Sequence, residues 1–86
     1  MLLNSNLINI INASNPKILN KNGIFGIFID AGTSIGTMIA SNNLRGICVV
    51  QGENRIAFVS DYNTANIYVL ANHSYESGWN SASEIK

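Results

Sequence analysis

The sequence predicts a mainly β domain, a small antiparallel β-meander or sandwich preceded by a short helix or an extended arm. Three observations carry this expectation. Beyond Gly23, short β-rich apolar runs recur roughly every ten positions, at 24–29, 35–40, 46–50, 56–59 and 67–71. Every gap between them carries Gly, Asn or Asp, residues that tolerate left-handed backbone and close tight turns. No stretch after residue 23 leaves room for a helix of useful length.

The elements follow in order. Residues 1–22 form a segment apart from the β domain of residues 23–86. Within it Leu3, Leu7, Ile10 and Ile11 fall at helical spacing, yet asparagine is a poor helix former and the same residues fit an extended strand. Ser14-Asn15-Pro16 breaks the chain, and Asn20-Lys21-Asn22-Gly23 turns it. In the first run, Phe25, Ile27 and Ile29 share one side while Ile24 and Phe28 share the other. The later runs are alike: Ile47 and Val49 oppose Cys48 and Val50, and Ile56 and Phe58 oppose Ala57 and Val59. A sheet with one face in water alternates apolar and polar residues. Strands apolar on both sides imply either a sheet folded over itself or one whose second face packs on other copies of the chain.

At 86 residues the chain is one domain, and a domain of that size buries only about 60–65% of its unfolded surface. Charged residues make up 12%, against roughly 25% in ordinary soluble domains, and the net charge is zero. The absence of a basic stripe argues against nucleic acid as a partner. Polarity comes instead from 14 Asn and 9 Ser. Cys48, the single cysteine, has no internal disulfide partner and lies in an apolar run, as a buried small hydrophobe does. No cofactor and no metal site are expected, since His73 is the one histidine and no Cys/His cluster exists. No run reaches the roughly 18 apolar residues of a membrane helix, and the first residues lack the positive region of a secretory signal.

One string resembles two known catalytic loops. Phe28-Ile29-Asp30-Ala31-Gly32-Thr33-Ser34 resembles the aspartic protease loop, in which two aspartates from paired loops share a proton and activate water. That resemblance implies a dimeric protease centred on Asp30, with Ala31 where the family has a hydroxyl residue. The competing interpretation is an ordinary β-turn with Asp at its first position. The same residues resemble the first phosphate loop of the sugar-kinase, actin and heat-shock ATPase superfamily. Those proteins close two large domains on a nucleotide, which 86 residues cannot supply.

The closing segment, Ile67-Tyr68-Val69-Leu70 through Gly78-Trp79 to Glu84-Ile85-Lys86, resembles the small β domains of bacteriophage and pyocin tail fibres. Gly23-Ile24-Phe25, Val49-Val50-Gln51 and Arg55-Ile56-Ala57-Phe58 stand where the earlier strands of such domains would be. Ala82 occupies a position where a second tryptophan is frequent. The resemblance covers residues 18–86 and implies a non-catalytic structural or receptor-engaging module. It would be a homotrimer in the virion tail, made in the host cytoplasm, that contacts bacterial surface polysaccharide without inserting into a membrane. A chain of this length would be a split fibre gene product or part of a longer protein.

Candidate glycan contacts are the turn residues Asn42, Asn43, Tyr62, Asn63, His73 and Tyr75. Trp79, Phe25 and Phe58 are assigned to the core or to a seam between subunits. The rival binding-module interpretation is a stand-alone inhibitor from a mobile element, similar to anti-CRISPR proteins and acting by protein–protein contact.

Overall fold

A computed structural model describes residues 9–73 and 76–86. The described residues form eight short strands, β1 (Ile10–Asn12), β2 (Gly23–Ile29), β3 (Ser34–Ile35), β4 (Met38–Ile39), β5 (Leu44–Gln51), β6 (Asn54–Asp61), β7 (Ile67–His73) and β8 (Ser81–Ile85). Six of them form one sheet in the order β1-β2-β5-β6-β7-β8. From β2 to β8 the sheet is an antiparallel meander. Between β5 and β6 the turn is two residues long, Gly52-Glu53, because Gln51 pairs with Asn54. This hairpin fixes the register of β6 on β5.

The arm is extended at Ile10–Asn12, one of the two alternatives the sequence offers, and two other features depart from the expectation. The arm docks on β2 in parallel, Ile11 opposite Ile27, so the sheet is mixed and not purely antiparallel. A parallel neighbour needs a crossover connection, and residues 13–22 supply it by passing over one face of the sheet. Asn15 caps a single 3-10 turn there (Pro16–Ile18) by accepting a hydrogen bond from the Lys17 N–H at 3.1 Å. Ala13, Pro16 and Leu19 are buried beneath the crossover. The second departure is the run at 35–40, which is a small hairpin, not one strand. Gly36 breaks it by adopting φ 64°, a left-handed conformation that costs a side-chain-bearing residue energy.

The second, two-stranded sheet β3-β4 joins the crossover and Trp79 in closing one face of the large sheet, while no described residues cover the other, open face. Ile27, Ile29, Leu44, Cys48, Val50, Ala57, Val59 and Leu70 point into the closed face. Trp79 is 2% exposed and ties the cover together. Its indole Nε1–H donates to the Ala13 carbonyl at 2.8 Å, and its own carbonyl accepts from the Gly36 N–H at 2.7 Å. Gly46 allows the central strands to approach, for a Cβ there would collide with the Phe58 carbonyl.

Every fully buried side-chain nitrogen and oxygen among the described residues is hydrogen-bonded. Arg55, 4% exposed, donates through Nε to the Leu19 carbonyl at 2.8 Å and through Nη1 to Asn72 Oδ1 at 3.0 Å. Asn72 in turn donates to the carbonyls of Glu76 (2.9 Å) and Gly78 (2.7 Å). This network holds the crossover and the final loop to β6 and β7. Burial pushes the Cys48 thiol up to about 11, the positive field of Arg55 offsetting only part of it, so the thiol stays protonated near neutral pH.

Candidate functional site

The register set at Gly52-Glu53 carries Asn42, Asn43, Tyr62 and Asn63 to the same end of the sheet. Residues 30–33, 41–43 and 61–66 meet there. Asn42 Nδ2 donates to both carboxylate oxygens of Asp61 (3.3 and 3.2 Å), and its Oδ1 accepts from Asn63 Nδ2 at 3.0 Å. The Asn43 carbonyl accepts from the Tyr62 N–H at 2.9 Å, while its side-chain Oδ1 accepts from the Ala31 N–H at 2.8 Å. The two asparagines are thus struts that join three loops. Burial would raise the pKa of Asp61, but the N–H groups of Asn63 and Thr64 and the Asn42 amide outweigh it and hold the carboxyl below its ordinary range.

Tyr62 is left outside this lattice, 64% exposed. The Arg45 guanidinium lies over its ring, 4.7 Å from the centroid, a cation–π contact that orders both side chains. Beside Arg45 is a shallow cavity of ≈ 290 Å³ lined by Ile10, Phe28, Asn43 and Arg45. Its floor is apolar, and Arg45 brings hydrogen-bond donors to its wall. Arg45 was not among the sequence candidates. The turn at Gly52-Glu53 contains the missing signal, since it sets Arg45 opposite Ser60 and diagonal to Tyr62.

Asp30 begins a β-turn closed by the Thr33 N–H on the Asp30 carbonyl at 3.2 Å. Its N–H donates to Ser14 Oγ (2.9 Å), and its carboxylate accepts from Asn12 Nδ2 (3.1 Å), so it fastens the arm to the loop end. His73 lies elsewhere. It pairs with Asn54 at the other end of the sheet, seven residues along β6 from Asp61, about 23 Å at strand rise. Tyr75 lies outside the described residues. Among the described residues, no group of three or more His, Cys, Asp or Glu could hold a metal ion.

The open face of the sheet is the second surface. Register places four cross-strand rows on it: Gln51, Asn54, His73; Ile24, Val49, Ile56, Ala71, Ser81; Ile10, Gly26, Ile47, Phe58, Val69, Ser83; and Asn12, Phe28, Arg45, Ser60, Ile67, Ile85. Eleven of these residues are apolar and Arg45 alone is charged. Phe58 lies here, 44% exposed and outside the core. Trp79 is in the core, and Phe25 packs half-buried against it.

Comparison of the chain with family models, with curated proteins and with solved structures returns no match.

Proposed function

We propose that this chain is a non-catalytic module of a phage or prophage tail fibre, assembled as a homo-oligomer, that meets bacterial surface polysaccharide with its loop end. The supporting observation is the division of labour at that end. Asn42, Asn43 and Asp61 lock three loops, and the lock presents the Tyr62 ring and the Arg45 guanidinium outward. A surface ordered before its ligand arrives loses less conformational entropy on binding. An aromatic ring beside amide and guanidinium donors suits a sugar, which offers an apolar C–H face and a rim of hydroxyls. The three-fold assembly belongs to the same proposal and comes from the tail-fibre resemblance.

The test is surface plasmon resonance of the whole chain on immobilised O-antigen and capsular polysaccharides. Tyr62→Ala is expected to weaken binding by about tenfold, roughly 1.4 kcal/mol, without changing the assembly mass. His73→Ala, at the far end, is expected to bind as the parent does. Equal binding by Tyr62→Ala and the parent overturns the proposal, as does a parent that binds none of the polysaccharides.

A further inference from the structure

We infer that the open face of the sheet is covered by the open face of a second copy of this chain. The inference rests on the self-association in the fibre proposal and departs from it in symmetry: two open faces pair about a two-fold axis, where the tail-fibre resemblance implies a three-fold one.

Apolarity comes first. Ile24 is 70% exposed, and Ile47, Phe58, Ile67 and Ile85 are each about half exposed, all on one continuous surface. Apolar side chains scattered singly over a surface need no explanation, but a contiguous patch does. The closed face already has its cover in the crossover, the hairpin and Trp79, so the open face needs one from outside the described fold.

Area comes second. Six strands at about 4.8 Å spacing and roughly seven residues in length give a projected face on the order of 500–600 Å². Pleating and side chains raise the accessible area above that figure. A standard stable interface buries about 800 Å² per partner, so a face of this size is on the scale of a dimer interface and above most lattice contacts. Two sheets packed face to face about 10 Å apart are an ordinary protein core.

Charge selects the occupant. Of the ten charged side chains in the sequence, Arg45 alone is on this face, at the row nearest the loop end, with its guanidinium drawn onto Tyr62. A nucleic acid, an acidic peptide or an anionic membrane would find almost nothing to pair with. A second copy brings the same uncharged surface, and a chain of zero net charge meets no overall repulsion from itself. A two-fold axis then satisfies both copies with one surface.

The experiment is sedimentation equilibrium of the whole chain, with circular dichroism to establish that each variant is folded. Phe58→Arg and Ile24→Lys place charge at two separate points of the open face. Ile39→Lys places it on the exposed hairpin, away from that face. The parent and Ile39→Lys are expected to associate alike, and each open-face variant to raise the dissociation constant at least about tenfold. A folded parent that stays monomeric overturns the inference, and so does a monomer that binds phosphatidylcholine vesicles. An assembly that ignores both open-face variants also overturns it but leaves the fibre proposal standing. Failure of the fibre proposal alone would show as intact assembly with no polysaccharide binding.

Discussion

The two faces of this sheet are made of similar residues and have different fates. On the closed side Ile27, Leu44, Val59 and Leu70 are sealed by the crossover, the β3-β4 hairpin and Trp79. On the open side Ile24, Ile47, Phe58 and Ile67 are just as apolar and remain exposed. Among the described residues, the chain's own loops cover one face of the six-stranded sheet and leave the other uncovered. On the proposed pairing of open faces, the difference separates two roles for apolar surface, one stabilising the monomer and one serving association.

Substitutions on the two faces should therefore differ in kind. The largest effect is expected from Trp79→Ala, which removes the cover's central side chain and should cost about 3–5 kcal/mol in urea denaturation. Leu70→Ala, on the closed face, should cost about 2–5 kcal/mol, whereas Phe58→Ala, one strand away on the open face, should cost the monomer less than about 1 kcal/mol. Equal costs for this pair would erase the distinction. Gly46→Ala should destabilise by about 1–3 kcal/mol, because the added methyl forces β5 away from the Phe58 carbonyl.

Smaller effects sharpen the account of the loop end. The Asp61 carboxyl is held below its ordinary pKa, so it binds its proton less readily folded than unfolded. Its contribution is present above the ordinary carboxylate pKa of about 4 and is lost as pH falls through the lowered, folded value. Amide chemical shifts of Asn63 and Thr64 should stay constant from neutral pH to about 4 and move only below it. Asp61→Asn should remove that acid transition. The smallest expected signal is at Cys48, where a thiol raised to about 11 and wholly buried should not react with a thiol reagent until the sheet unfolds.

Much of this fold is legible in the sequence because strand chemistry is local. The period-two pattern of Phe25-Gly26-Ile27-Phe28-Ile29 and the turns bearing Gly, Asn or Asp are enough to place β2, β5, β6 and β7. The two-sided apolar pattern of Ile47 to Val50 likewise anticipates a second face in need of cover. The parallel docking of Ile10–Asn12 is not legible, since it depends on the Trp79 indole reaching Ala13 across 66 positions. The division of 35–40 into a hairpin is also tertiary, fixed by the bond from Gly36 to the Trp79 carbonyl. At the loop end, asparagine and tyrosine in turns mark Asn42, Asn43, Tyr62 and Asn63 as candidates. Composition alone could not say that the asparagines would be spent on one another and on Asp61. Nor could it separate them from His73, which shares their chemistry and sits at the opposite end.

The three phenylalanines divide between the faces, Phe25 on the closed side and Phe28 and Phe58 on the open one. Fluorine NMR of the chain labelled with fluorophenylalanine, followed through serial dilution, therefore reads both faces at once. The Phe28 and Phe58 resonances are expected to shift with concentration while Phe25 stays fixed. A Phe25 resonance that shifts, or three resonances indifferent to dilution, would contradict the assignment of the open face to a second copy.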